Sequence, residues 1–135
     1  MSALYVDTSA LLRATLETGT TREVEARLES AQTLLTSRLT LVESARALLR
    51  VRQLGRVSES RIADVERELE QLWARCELWE LTPAVCELAR HVAPGKTLRA
   101  LDALHLATFL LARRRIEGLV LLTVDDRLRE AVGEA

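Results

Sequence analysis

No two strand-like runs in this sequence are joined by a hairpin turn, and that restricts the fold more than any single motif does. Four short apolar runs stand out: Leu4-Tyr5-Val6, Thr33-Leu34-Leu35-Thr36, Glu77-Leu78-Trp79-Glu80-Leu81 and Leu119-Val120-Leu121-Leu122-Thr123. Helical periodicity fills every interval between them. Strands of one sheet that are separated by helices run parallel, because a tight turn can only reverse direction. A parallel sheet must also be covered on both faces. The expectation is an α/β fold: a three-layer α/β/α sandwich with a mostly parallel central sheet.

The helical stretches have readable ends. Thr8 to about Thr15 is short and is broken at Gly19-Thr20, after which Thr20 or Thr21 caps a helix to about Ser30 with Val24 and Leu28 inside. Leu39 to Leu54 carries Val42, Ala45 and Leu49 on one stripe with Arg46 and Arg50 beside it, and Gly55 closes it. Ser58 opens a helix through Trp73 whose apolar stripe is Ile62, Val65, Leu69 and Leu72. Thr82-Pro83 is a favoured helix start, His91 to Gly95 reads as a loop, and Leu98 to Arg115 is a strongly apolar helix. Asp125 to Val132 closes the chain. Without a linker, repeat or low-complexity tract, the expectation is one domain over residues 1–135.

At 135 residues the chain can bury a core without disulfides or a structural metal. Its two cysteines, Cys76 and Cys86, lack zinc-site spacing and are expected to be reduced. Met1-Ser2-Ala3 leads straight into a strand with no leader pattern, and Ala103 to Ala112 is too short to span a bilayer. A cytoplasmic protein without a membrane segment is expected. The net charge of −1 offers no overall basic field, so nucleic acid must be met by a local patch. Lysine occurs once, at Lys96, among 19 basic residues. Arginine suits phosphate, but a bias along the whole chain fits genome composition at least as well.

The aspartates are more informative. Asp7 directly follows the first strand, where an open parallel sheet places its ligands; alone, it reads equally as a helix N-cap. Glu43 fits a capping box with Thr40. Asp102 is harder to explain structurally, since its helix face carries Leu98, His105, Leu106 and Phe109 and a buried unpaired acid is costly. An Arg99–Asp102 pair would add only a few tenths of a kcal/mol, about 0.2–0.5. Asp125 lies closer to the last strand than Asp126, which is expected to face solvent. A parallel sheet could bring these acids to one edge, where carboxylates repel unless a cation neutralises them. Mg2+ or Mn2+ suits an all-oxygen set and would activate water at a phosphodiester.

Tyr5-Val6-Asp7-Thr8-Ser9-Ala10-Leu11, Thr40-Leu41-Val42-Glu43, Leu101-Asp102-Ala103-Leu104-His105-Leu106-Ala107 and Thr123-Val124-Asp125-Asp126-Arg127-Leu128 resemble, in order, the successive motifs of PIN-domain nucleases. The closest likeness is to VapC-type toxins. The resemblance implies a PIN-like sandwich, an Mg2+- or Mn2+-dependent endoribonuclease, a small cognate antitoxin of a type II toxin–antitoxin pair, and a homodimer. It matches Asp7, Glu43, Asp102 and Asp125 to catalytic acids, with Asp7, Asp102 and Asp125 at the metal, and Thr8, Ser9 and Thr123 to supporting hydroxyls. On this reading Glu43 is a ligand or proton acceptor, and in-line attack of water leaves a 3′-hydroxyl and a 5′-phosphate.

Arg13, Arg46, Arg50 and Arg99 lie near these acids in sequence and are the expected RNA or antitoxin contacts. His105, among apolar neighbours, is expected to be a packed core residue rather than a general base. The dimer surface is expected on the apolar helices from Leu39 to Trp73. A haloacid-dehalogenase-like phosphatase would want an acid where Ser9 stands, and a receiver domain a lysine after the last strand. A non-toxin PIN nuclease in RNA processing and a catalytically silent PIN-like scaffold are the remaining alternatives; the scaffold would be expected to have lost an acid, and none is missing.

Overall fold

Alternation along the first strand sets the layers. In the computed structural model, which describes residues 2–133, β1 (Ala3–Val6) turns Leu4 and Val6 to one face and Tyr5 to the other. On the first face pack α1 (Thr8–Thr15) and α2 (Arg22–Ser30), through Ala10, Leu11, Val24 and Leu28, together with Leu34 of β2 (Thr33–Ser37). On the second, Tyr5 and Leu35 meet Leu106, Phe109 and Ala112 of α6 (Ala100–Arg115) and Leu128 and Ala131 of α7 (Asp126–Val132). Burying a Leu or Phe this completely contributes roughly 1.5–3 kcal/mol of transfer free energy. The two clusters therefore clamp the sheet from both sides.

The sheet runs β3-β2-β1-β4, with β3 at Cys76–Trp79 and β4 at Val120–Leu122. Every strand pairing among the described residues is parallel: Tyr5 lies opposite Leu35 on one side and Leu121 on the other, and Leu35 opposite Glu77. The chain leaves β1 toward β2 but returns to its other flank as β4. The ends of β1 and β4 are thus the topological switch point, where α/β sheets open a crevice.

α3 (Arg38–Leu54) starts a residue earlier than its periodicity suggests, because Ser37 caps it by accepting from Leu39 N at 3.1 Å. Gly55, at φ 66°, ends it in the left-handed conformation. α4 (Glu59–Arg75) buries Ile62, Val65 and Leu69 and is bound to α3 by Arg52, which reaches Glu59 at 3.1 Å and Glu66 at 2.9 Å. The Val42–Ala45–Leu49 stripe of α3 faces outward: Val42 is 55% and Leu49 43% exposed, while Thr40, Ser44 and Leu48 form the buried side. The register of the first turn, fixed by the Ser37 cap, aims the small and hydroxyl residues inward.

Thr82 caps α5 (Pro83–Ala89) as its sequence suggests. α6 begins at Ala100 rather than Leu98, since Arg99 is extended at ψ 160° and serves as its N-cap residue. No helix of the described residues is long and apolar enough to cross a membrane.

Candidate active site

The crevice at the switch point is built from the turns that follow β1 and β4. Asp7 continues β1 by one residue, its N–H donating to Leu122 O at 3.3 Å, and it is 4% exposed. Its side chain is both cap and site component. Oδ1 accepts from Ala10 N at 3.0 Å at the start of α1, Ser9 Oγ donates to both oxygens at 2.8 and 2.9 Å, and Thr123 Oγ1 donates to Oδ2 at 2.7 Å. Burial pushes the Asp7 carboxyl above the ordinary aspartate range; Thr123, Ala10, Ser9 and His105 oppose that rise without cancelling it.

The same hydroxyls fasten the turn after β4. Thr123 Oγ1 accepts from Asp125 N at 3.0 Å, and Ser9 Oγ accepts from Val124 N at 3.2 Å. Asp125 caps α7 by accepting from Arg127 N at 2.9 Å and is half-buried. Asp126 is exposed and paired with Arg129 at 2.6 Å, the solvent-facing position expected of it.

Asp102 stands in the first turn of α6, half-buried, and its side chain makes no hydrogen bond or ion pair with any described residue. The Arg99–Asp102 pair that would explain it structurally does not form. Burial and then the charge of Asp125 hold its carboxyl above the usual range, against weaker relief from His105, Arg127 and Arg99. Two acids from distant parts of the chain therefore repel each other across the crevice.

Glu43 is not part of a capping box. With Ser37 as the cap it falls in the second turn of α3, where Oε1 accepts from Thr8 Oγ1 at 2.7 Å and lies 2.6 Å from His105 Nε2. Burial works against its ionisation, but the His105 and Thr8 hydrogen bonds and the charge of His105 outweigh it and leave its pKa below the ordinary value. α3 is brought to this position by Thr36 Oγ1, which donates to Val6 O at 2.6 Å and lies 2.8 Å from Thr40 Oγ1.

His105 is buried, as its neighbours suggest, at 3% exposure, but both of its ring nitrogens have polar partners. Nδ1 lies 2.8 Å from Tyr5 Oη and Nε2 meets Glu43. Tyr5 and Thr36 are the site's contributors that motif reading passed over. The available signal was a tyrosine in a doubly covered strand, whose hydroxyl needs a buried partner.

The arginines divide. Arg46, Arg50 and Arg99 are exposed, and their side chains make no hydrogen bond or ion pair with described residues. Arg13 is engaged by Thr21 at 3.0 Å and Glu17 at 3.3 Å, beside a cavity of about 470 Å³ that Arg27, Arg129 and Thr123 also line. Arg127, not singled out from sequence, is near enough to Asp102 to favour its ionised form.

Asp7, Asp102 and Asp125 offer carboxylate oxygens, which suit a hard divalent cation. Among the described residues no three acidic, histidine or cysteine side chains converge as a complete metal-binding group. That is compatible with Mg2+-type binding, in which one or two carboxylates hold an ion that keeps several waters. The unpaired Asp102 beside Asp125 is the feature that such a charge would relieve.

A family model described as PIN domain matches residues 4–134. The chain is 36% identical over 129 residues to Ribonuclease VapC45 of Mycobacterium tuberculosis, covering 95% of this chain and 88% of the relative. Among solved structures it resembles PAE2754 from Pyrobaculum aerophilum at 26% identity and a TM-score of 0.68, covering 99% of this chain and 82% of that one. A toxin–antitoxin complex from Klebsiella pneumoniae shares the fold, with a TM-score of 0.63 at 23% identity over 93% of this chain and 88% of that one.

Proposed function

The chain belongs to the PIN domain family, and on that footing we propose that it is a metal-dependent endoribonuclease and the toxin of a type II toxin–antitoxin pair. The observation that carries the reading is Asp102. A half-buried carboxylate whose side chain has no hydrogen-bond or ion-pair partner among the described residues, facing the charge of Asp125, is a local cost to the fold that a divalent cation would remove. The ribonuclease name of the relative at 36% identity supplies the substrate class.

In this mechanism Asp7, Asp102 and Asp125 would hold Mg2+ or Mn2+, one or two of them directly and the rest through water. When bound, such an ion lowers the pKa of water and offsets charge on phosphoryl oxygens. Glu43, its carboxyl already biased toward the ionised form by His105 and Thr8, accepts the proton of the attacking water. Ser9 and Thr123 keep the Asp7 carboxylate fixed while the reaction proceeds. Arg46, Arg50 and Arg99, exposed and unpaired among the described residues, offer guanidinium groups to flanking phosphates, and Arg127 adds a fourth. Phosphodiester hydrolysis by in-line attack then leaves a 3′-hydroxyl and a 5′-phosphate. A small antitoxin would block the same crevice, and the outward Val42–Leu49 stripe on α3 is the surface offered to a second copy of the chain.

The test is cleavage of a mixed structured RNA by the purified protein with Mg2+, with Mn2+ and with chelator, beside Asp102→Asn. Metal-dependent cutting that the variant loses is the expected result. Wild-type cleavage by a folded Asp102→Asn protein would remove Asp102 from the chemistry. A folded, antitoxin-free wild type that cuts under no condition would favour the binding scaffold.

A further inference from the structure

We propose that His105, itself held by Tyr5, is the positioning residue for Glu43: a buried Tyr5–His105–Glu43 relay presents one carboxylate oxygen of Glu43 to the reaction. The proposal rests on the nuclease reading above and deepens it. It assigns work to Tyr5 and His105, which are not among the four acids matched by the motifs.

The relay spans three elements. Tyr5 comes from β1 and is 0% exposed; His105 comes from α6 and is 3% exposed; Glu43 comes from α3 with 23% of its side chain exposed. Tyr5 Oη lies 2.8 Å from His105 Nδ1, and His105 Nε2 lies 2.6 Å from Glu43 Oε1. An ionised carboxylate only accepts, so the proton of that bond sits on Nε2. This holds for the protonated and the uncharged ring alike. In the uncharged ring Nδ1 is then an acceptor, and the phenol donates to it. Tyr5 can do so because a phenol is protonated at neutral pH, and its buried hydroxyl lies within hydrogen-bond distance of that nitrogen. Edge-on ring contacts of Tyr5 with His105 and with Phe109, both at 6.1 Å between centroids, leave the imidazole little freedom to turn.

The consequence falls on the two oxygens of Glu43 unequally. Oε1 receives both His105 Nε2 and, at 2.7 Å, Thr8 Oγ1. Oε2 has no hydrogen-bond partner among the described residues. A flexible three-torsion side chain is thereby fixed by one oxygen with the other left free, which is what a proton acceptor in a preorganised site requires. A histidine serving only to fill core would not need a carboxylate and a phenol at its two nitrogens.

The experiment compares wild type with His105→Leu, His105→Gln, Tyr5→Phe, Glu43→Gln and the Glu43→Gln/His105→Leu double variant. It measures RNA cleavage (kcat and KM separately) and Mn2+ binding by electron paramagnetic resonance. His105→Leu should lower kcat about 10–100-fold, the usual effect of removing a group that orients a functional side chain, with KM and Mn2+ affinity little changed. His105→Gln, whose amide can still donate toward Oε1, should recover most of kcat. The double variant should be no worse than Glu43→Gln alone.

Should His105→Leu fail to fold, Tyr5→Phe removes only a hydroxyl and still has to lower kcat. The imidazole 15N spectrum of the metal-free protein should show a protonated Nε2 and shift in Tyr5→Phe and Glu43→Gln. A folded His105→Leu protein with wild-type kcat, additive losses in the double variant, or an imidazole indifferent to Tyr5→Phe would each overturn the relay while the nuclease stands. A wild type without metal-dependent cleavage would instead overturn the nuclease reading, and with it the reaction this positioning serves.

Discussion

Thr123→Val removes one hydroxyl from the point where the two turns of the crevice are joined. The residue is 4% exposed, and valine fills nearly the same space. Its Oγ1 donates to the Asp7 carboxylate at 2.7 Å and accepts from Asp125 N at 3.0 Å. A hydrogen bond to a charged group contributes about 1.5–3 kcal/mol, and an orphaned N–H that water can partly reach adds up to about 1 kcal/mol. The expected cost is therefore about 1.5–4 kcal/mol at neutral pH, a large share of the roughly 5–15 kcal/mol that holds a domain together.

The pH dependence of that cost is the sharper test. Asp7 has a folded-state pKa above its reference value of 3.8, mainly through burial. Its contribution to stability is then full below the unfolded value and is lost as pH rises through the folded one. Thr123 is the largest force holding that folded pKa down, so valine raises it further. The variant's penalty should be smallest below 3.8, where Asp7 is mostly protonated in both states, and should grow toward neutrality. Urea unfolding in chelator over a pH series measures it directly. A cost under about 0.5 kcal/mol, the range of an indifferent surface change, would refute the reasoning. So would a cost that stays constant with pH.

Asp102→Asn should leave the metal-free protein as stable as wild type or more so at neutral pH, since its carboxyl too is raised by burial and by Asp125; the gain should fade as pH falls through the reference value of 3.8. Thermal melts with and without Mg2+ would show wild type gaining more from the ion than the variant, and equal gains would exclude Asp102 as a ligand. Leu49→Arg places a charge on the exposed stripe of α3 and should convert a dimer to a monomer at unchanged stability, read by light scattering; an unaltered dimer would move the interface elsewhere.

The layer order and the parallel sheet were legible because they depend on patterns that the sequence states locally. Gly55 in the left-handed region, Thr82 before Pro83 and the helix periods each act within a few residues. Element ends were less legible where two caps competed. Ser37 and Thr40 can both start α3, and the choice depends on Thr36 and Thr40 being consumed by bonds to Val6 O and to each other, which is tertiary information. That choice also decides which face is buried. The apolar stripe Val42–Ala45–Leu49 is therefore outside, although its periodicity alone would place it inside.

The crevice was legible to different depths for the same reason. An acid at a strand end announces its place, because the sheet carries Asp7 and the Asp125 turn to one edge whatever else happens. Glu43 and His105 do not announce theirs. Each has an adequate local explanation, a capping box for one and an apolar helix face for the other, and both fail for a single cause. A histidine on an apolar face still has two ring nitrogens to satisfy, and a glutamate one turn too deep for its cap still has a charge to place. Neither need can be met on its own helix, so each supplies the other's partner across 62 residues of sequence, at 2.6 Å. Polar groups that local structure leaves unsatisfied are thus the residues whose sequence context says least about them, and in this chain Glu43 and His105 find each other between α3 and α6.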